Sequence, residues 1–191
     1  ALTVLPMEGM TNLHTLTCND NKLTSLDLSK AVGLNTLVCS NNAIKSLDLS
    51  GAVGLVTFTC QYDATKANGQ AKFAALTGKA PKLVELNVAN QGLTTLDMAN
   101  HPTLTRLYEA NNQLTSITGQ APQLTYLDCG TNALKALNLA NFPKISVLVC
   151  GYNYGIQLDT ANSATLTELY CDNCNLQNIA PTTLPALRVL V

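Results

Sequence analysis

Seven cysteines are the residues of this chain best suited to chemistry, because a thiolate can attack a substrate, bind zinc or form a disulfide. Two of them form the run Cys171-Asp-Asn-Cys174. A C-x-x-C pair is typical of redox sites when it begins a helix that follows a strand in a thioredoxin-like unit. Whether these thiols react therefore depends on the elements that position them.

Other motifs for catalysis are missing from the sequence. His14 and His101 are isolated, with no second histidine at the spacing of metal ligands. The chain contains no glycine-rich phosphate loop and no nucleophile elbow. We therefore expect a protein that is not an enzyme, with no catalytic residues, no metal and no cofactor.

The cysteines follow an internal repeat. The pattern Leu-x-x-Leu-x-Cys that starts at Leu13 recurs 21 residues later at Leu34. Coils of the repeat start at Leu13, Leu34, Leu55, Leu83, Leu104, Leu124, Ile145 and Leu166. A ninth coil starts at Leu187, and residues 2–7 match the second half of an earlier one. We expect one domain over residues 1–191, with about eight full repeats and partial repeats at both ends, cut from a larger protein.

Within each coil, the fourth and sixth positions are apolar, whereas the third and fifth are mostly polar. This alternation predicts a strand with one face turned inward, and one strand per coil predicts a parallel sheet. The second half alternates too, as in Leu26-Asp27-Leu28, which predicts a short extended segment rather than a helix. One buried column is expected from Leu16, Leu37, Phe58, Leu86, Leu107, Leu127, Leu148 and Leu169.

The spacing L-x-x-L-x-(L/C)-x-x-N-x-L resembles the leucine-rich repeat family over essentially the whole chain. Cysteine at the sixth position and an L-D-L-S second half resemble the cysteine-ladder internalins and related bacterial surface proteins. The resemblance implies an α/β-type repeat solenoid that is mostly β, a right-handed horseshoe or arc with a parallel concave sheet and little helix. It also implies an asparagine ladder at the ninth position, here Asn21, Asn42, Asp63, Gln91, Asn112, Asn132, Asn153 and Cys174.

Six cysteines occupy the sixth position, which points inward, so we expect them to pack as small buried hydrophobic groups. Three alternatives are disfavoured. The Cβ vectors of neighbouring cysteines lie side by side rather than facing each other, as a disulfide requires. Cysteines in a column do not converge on one point to bind zinc, and a buried core offers no base to activate a nucleophilic thiol. Cys174 is the exception, since it stands at the asparagine position. Glu109 interrupts the cysteine column, and we expect that its side chain reaches solvent or that the local face differs.

The third coil is seven residues longer than its neighbours, with the extra length within residues 62–81. We expect a bulged loop or one helical turn that packs Phe73 and Leu76 inward. The insertion carries several lysines, and either it forms an overhanging binding loop or it is a tolerated insertion with solvated lysines, which we favour.

The outward positions of the sheet change in character along the chain. They carry small side chains in the first coils and larger ones from the fourth coil onward. Exposed tyrosines flanked by charge are typical of recognition surfaces, although tyrosine also suits strands. The candidate binding residues are Glu85, Arg106, Tyr108, Tyr126, Asp128, Tyr152, Glu168, Tyr170 and Asp172.

Composition limits the partners of this surface. The formal net charge is −1 and no charged block stands out, which argues against nucleic acid. No apolar run is long enough for a membrane span. We expect a monomeric protein-binding module for adhesion or recognition, extracellular or at a bacterial cell surface, with a signal peptide or anchor outside this chain. The alternatives are a glycan-binding module and a structural spacer within a larger surface protein.

Overall fold

The computed structural model describes residues 1–66, 71–161, 163–176 and 179–191. Within them, strands of two or three residues alternate between a long sheet and the opposite side of the coil. The strands are β1 Thr15–Thr17, β2 Thr36–Val38, β3 Ser46–Asp48, β4 Thr57–Thr59, β5 Ala75–Thr77, β6 Glu85–Asn87, β7 Thr95–Asp97, β8 Arg106–Tyr108, β9 Ser116–Thr118, β10 Tyr126–Asp128, β11 Ala136–Asn138, β12 Val147–Val149, β13 Gln157–Asp159, β14 Glu168–Tyr170 and β15 Val189–Leu190.

The long sheet has nine parallel strands in the order β1-β2-β4-β6-β8-β10-β12-β14-β15. Equivalent residues of successive coils lie opposite each other, as with Leu16 and Leu37, or Leu127 and Leu148. The central leucine column predicted from the sequence is confirmed: Leu37 and its counterparts through Leu169 are fully buried, and Leu16 is half-buried in the first coil. The chain is thus a parallel solenoid of about eight turns at a spacing of about 21 residues.

The second halves of the coils form short parallel pairs, β3 with β5, β7 with β9 and β11 with β13. Helical structure in the described residues amounts to single 3₁₀ turns at Met98–Asn100, Leu139–Asn141 and Pro181–Thr183. The expected extended segments and the low helix content are confirmed. No helix among the described residues has the length and apolar character needed to cross a bilayer.

The aspartates that end these second strands stabilise the turns by which the chain leaves them. The Asp48 Oδ1 accepts the Ser50 N–H at 2.9 Å, and the Asp97 Oδ1 accepts the Ala99 N–H at 3.1 Å. Such a side-chain bond two residues ahead replaces a backbone turn. The aspartates at this position of the coils therefore serve to form turns.

The fifth coil makes this turn differently, and the difference accounts for its missing residue. Gly119 follows Thr118 with φ +79°, a left-handed conformation that glycine adopts without a steric penalty. A Cβ at Gly119 would lie 2.6 Å from the Ala99 nitrogen and 2.7 Å from the Asp97 Oδ1 of the preceding coil. The glycine turn therefore brings the coil into close contact with its neighbour.

Replacing Gly119 by alanine is expected to lower the free energy of unfolding by about 3–4 kcal/mol, since backbone strain and a collision with the backbone act together. Gly155→Ala is the matched control, because Gly155 has φ +76° but open space around its Cβ. There we expect a loss of only about 1 kcal/mol. Urea unfolding of both variants measures the difference, and equal losses would contradict the role of the close approach.

The asparagine ladder joins each coil to the one before it. The Asn153 Nδ2 donates to the Cys129 and Cys150 carbonyls at 2.9 Å each, and the Leu134 N–H donates to its Oδ1 at 3.0 Å. Gln91 has the same role with a longer side chain, and its Nε2 donates to the Cys60 carbonyl at 2.7 Å. The ladder therefore satisfies backbone groups that the turn leaves inside the core.

Two members of the predicted ladder depart from this pattern. Asp63 accepts from the Thr65 N–H and hydroxyl at 2.9 and 2.7 Å, so its inclusion in the ladder was wrong. The physical reason is that an ionised carboxylate has no N–H to give to a carbonyl. The Cys174 Sγ, by contrast, keeps one ladder bond, to the Cys150 carbonyl at 3.1 Å.

All seven cysteines are free thiols, and all except the half-buried Cys171 are buried. Burial raises the pKa of Cys18 to about 11 and that of Cys129 well above the ordinary value. Burial also raises the pKa of Cys171, the more exposed half of the C-x-x-C run. These thiols stay protonated at neutral pH, which makes them poor nucleophiles.

Glu109 lies inside the cysteine column. Its side chain is fully buried, and β8 keeps the common register with both neighbouring strands. Both expectations for Glu109 were therefore wrong: the side chain does not reach solvent, and the local face does not differ. Neither carboxyl oxygen has a hydrogen-bond partner among the described residues. Burial, with a smaller contribution from Asp128, raises the pKa of Glu109 to about 8.

The insertion of the third coil returns to the core at Phe73, which is 1% exposed, and Leu76 packs partly buried against the same core. Leu76 belongs to β5 and lies opposite Leu47, so the inward packing is confirmed and this part is extended rather than helical. Residues 67–70 of the insertion lie outside the described residues.

Candidate recognition surface

The outward face of the nine-stranded sheet holds seven of the nine candidate residues in two rows. The third position of the coils supplies Glu85, Arg106, Tyr126 and Glu168, and the fifth position supplies Tyr108, Asp128 and Tyr170. We call these seven residues the sheet-face patch. Alternation along each strand turns their side chains away from the leucine core.

The register of the sheet brings the central members of the patch together. Arg106 lies opposite Tyr126, and Tyr108 lies opposite Asp128. The rings of Tyr108 and Tyr126, diagonal neighbours on adjacent strands, have centroids 4.9 Å apart and planes tilted by 38°. Aromatic pairs at this separation stabilise each other, so the two rings form one preorganised aromatic surface.

Charged groups flank the rings on both sides. The Arg106 Nε lies 3.7 Å from the Glu85 Oε2, with both side chains solvent-accessible. On the other side, on β14, two strands away from Tyr126, the Tyr170 hydroxyl donates to the Glu168 Oε2 at 2.9 Å. An exposed pair such as Glu85–Arg106 adds little to stability but sets the electrostatic character of the face.

Asp128 is a partly buried carboxylate of the patch. Burial raises its pKa, and a hydrogen bond from the Gly130 N–H at 3.2 Å acts in the opposite direction. Burial and the Asp128 charge also raise the pKa of the Tyr126 hydroxyl. The patch holds three carboxyl groups, those of Glu85, Asp128 and Glu168, against one guanidinium, so it is acidic.

The other two candidates lie at the edge of the sheet, beyond the strands. Asp172 is at the seventh position and Tyr152 at the eighth, and the Tyr152 N–H donates to the Asp172 carbonyl at 2.8 Å. The Tyr152 side chain is 58% exposed, in a left-handed conformation with φ +60°. These two residues are thus neighbours of each other, but they extend the patch rather than lie within its rows.

Tyr154 was missed by the sequence analysis. It is 72% exposed, more than any of the candidate tyrosines, and its hydroxyl accepts the Asn175 Nδ2 at 3.4 Å. It lies two residues past Tyr152, at the tenth position of the coil, beyond the positions that the repeat predicts to face outward on the sheet. The available signal was a break in the repeat, because the tenth position carries no other aromatic residue in the complete coils.

The first three coils present a different face. Their outward strand residues are Thr15, Thr17, Thr36, Val38, Thr57 and Thr59. These short side chains offer little apolar area and no charge. The sheet therefore has a plain half and a half rich in aromatic and charged groups.

Solved structures with this fold support the repeat assignment. No protein-family model matches the chain, and no curated protein matches it in sequence. The functional domain of InlJ from Listeria monocytogenes, which includes a cysteine ladder, is 25% identical with a TM-score of 0.77; the match covers 99% of this chain and 46% of that one.

Two further structures share the fold at lower identity. The internalin InlF from Listeria monocytogenes is 21% identical with a TM-score of 0.59, over 96% of this chain and 62% of that one. YopM from Yersinia enterocolitica is 21% identical with a TM-score of 0.64, over 94% of this chain and 42% of that one. The chain spans less than two thirds of each of these proteins. By repeat and by fold, the chain is a leucine-rich-repeat solenoid, and its buried cysteine column resembles the cysteine-ladder internalins.

Proposed function

We propose that this chain is a non-catalytic recognition module that binds a protein through the sheet-face patch. The observation that carries the proposal is the preorganised Tyr108–Tyr126 pair, with carboxylates around it. Rigid aromatic groups supply large contact area at a low cost in conformational entropy, and tyrosine and arginine are enriched among residues that dominate binding energy.

The charge of the patch defines its partner. Asp128 lies on the same strand as Tyr126 and opposite Tyr108, and Glu168 lies beyond β12 on the side of the eighth coil. Glu85 is the acidic partner of Arg106 on the other side. Complementary potentials favour association and reject surfaces of like charge. The partner is therefore a protein whose contact surface is apolar at its centre and basic at its rim.

A non-catalytic role agrees with the chemistry of the core. The cysteines whose pKa burial raises are protonated at neutral pH, and no group of three or more metal-binding side chains occurs in the described part of the chain. The location that goes with this proposal is the bacterial cell surface or the extracellular medium, as the likeness to internalin structures suggests.

The test uses photo-crosslinking from the patch. A photoreactive amino acid at position 126 should capture a defined protein from surface extracts, whereas the same group at position 36, the equivalent place on β2, should not. With the captured protein purified, Tyr108→Ala and Tyr126→Ala should each weaken binding by about 30-fold, corresponding to about 2 kcal/mol for a central aromatic contact.

Thr36→Ala is the control, on the same row of the same sheet but in its plain half. Equal crosslinking from positions 36 and 126, or full binding by both tyrosine variants, would exclude the sheet-face patch as the binding surface. Circular dichroism and thermal unfolding of each variant separate lost binding from lost folding.

A further inference from the structure

A cleft lined mostly by polar side chains lies beside the third coil and shares no residue with the sheet-face patch. It encloses about 560 Å³, within the range of small-ligand sites. The described residues that line it include Asn41, Tyr62, Asp63, Lys66, Lys72, Asn90 and Asn111. The start of the insertion forms one wall, and turns of the fourth and fifth coils form the other.

The wall made by the insertion is anchored to the first two coils. The Lys66 Nζ lies 2.9 Å from the Asp20 Oδ1, a carboxylate that also accepts the Asn41 Nδ2 at 3.0 Å. The Asp63 N–H in turn donates to the Asn41 Oδ1 at 2.8 Å. This chain of bonds joins three successive coils, so this wall of the cleft is preorganised in the absence of a ligand.

Lys66 and Lys72 supply the positive charges of the cleft, and Asp63 supplies one carboxylate, whose Oδ1 accepts the Thr65 N–H and hydroxyl at 2.9 and 2.7 Å. The Lys72 Nζ lies over the Tyr62 ring, 5.6 Å from the centroid, which orients the ammonium group. Within the described ranges, Lys72 forms no ion pair, unlike Lys66 with Asp20. An ammonium group that is held in place without a carboxylate partner attracts an anion.

The facing wall is neutral and made for hydrogen bonding. Asn90 and Asn111 both adopt left-handed conformations, with φ +62° and +57°, and their backbone N–H groups are fixed to the next coil. In the part of the chain that the structure describes, no hydrogen bond engages either carboxamide side chain. Each carboxamide can both donate and accept, as sugar hydroxyl groups can.

We propose that this cleft binds a carboxylated saccharide, with the uronate carboxylate on Lys72 and hydroxyl groups on the Asn90 and Asn111 carboxamides. The lining side chains are polar or charged except for Tyr62 and Ala64, which disfavours a peptide anchor, because such an anchor needs an apolar pocket. The cleft is separate from the sheet-face patch, so this proposal is independent of the protein-binding proposal.

Titration calorimetry with uronic-acid oligosaccharides tests the proposal, each acid being compared with its methyl ester. Gluco-, galacto- and mannuronate oligomers form the panel, and a peptide of the same negative charge is the competing ligand. At least one acid should bind at least about tenfold more tightly than its ester. Lys72→Gln should abolish that preference, and Asn111→Ala should weaken binding of the acid several-fold.

Lys79→Gln is the matched control, because Lys79 is an exposed lysine of the same coil that does not line the cleft. It should leave binding unchanged, and thermal unfolding should show that every variant is folded. The proposal is overturned if no acid binds more tightly than its ester, if Lys79→Gln is as damaging as Lys72→Gln, or if the acidic peptide binds as tightly as the best saccharide.

Discussion

Replacing Glu109 by valine should raise the free energy of unfolding by about 5–6 kcal/mol at pH 9 and by only about 1–2 kcal/mol at pH 5. Valine holds the same position in the preceding coil, at Val88, where it is fully buried. The glutamate is equally buried, and its two oxygens find no partner in the described residues. Most substitutions in a core destabilise it, so a large gain would be unusual and diagnostic.

The pH dependence follows from the sign of the pKa shift. The pKa of Glu109 is raised from 4.5 to about 8 by burial, so the folded state keeps a proton that the unfolded state has released. Stability is therefore lost as the pH rises from about 4.5 to about 8, by up to roughly 5 kcal/mol, and is constant above that range. The valine variant lacks this titration and should not lose this contribution.

Urea unfolding of the wild type and the variant from pH 5 to pH 9, in a thiol reductant, measures the difference between them. Burial lowers the pKa of His101, which costs stability on the acid side, but this contribution is common to both proteins and cancels. Glu109→Gln should also remove the pH dependence that Glu109 causes. It should raise the free energy of unfolding less than valine does, because an amide remains buried without partners. Parallel stability curves for wild type and valine variant would show that Glu109 is solvated.

Truncating Asn153 to alanine is the second change with a large expected effect: it should lower the free energy of unfolding by about 3–5 kcal/mol. The side chain is fully buried and holds three backbone groups, those of Leu134, Cys129 and Cys150. Alanine would leave the Leu134 N–H without its partner inside the core and would remove one hydrogen bond from each carbonyl, since Asn132 still donates to Cys129 and the Cys174 Sγ to Cys150. The unpaired N–H costs about 1–3 kcal/mol and each lost hydrogen bond about 0.5–1.5 kcal/mol, less whatever water can recover.

Asn21 provides the matched comparison for Asn153. It makes the same kinds of bond, accepting from the Leu2 N–H at 2.7 Å and donating to the Cys18 carbonyl at 3.2 Å, but in a half-buried setting. Asn21→Ala should therefore cost only about 1 kcal/mol, because water replaces the amide. Similar losses at the two positions, measured by urea unfolding, would show that the ladder acts through local turn geometry rather than through burial.

The repeat explains why so much of the fold could be predicted. Each leucine of the central column is specified by the alternation around it, and the same alternation recurs in every coil, so the eight coils agree on the strand, its inward face and its parallel neighbours. The candidate site was harder to predict. Tyr108 and Tyr126 were identified as outward residues, but Tyr154 lies in a turn, where no alternation indicates direction.

By itself, then, the sequence determined the coil: its period, its buried columns and the two-faced strand. These depend on residues close together in the chain, whose pattern of burial is local. Only the tertiary structure decided the contacts between coils, such as the 4.9 Å approach of Tyr108 to Tyr126 and the Lys66–Asp20 pair. It also decided that Glu109 has no partner within the described core. The physical reason is that such contacts depend on register and side-chain direction across coils, which the order of residues within one coil does not encode.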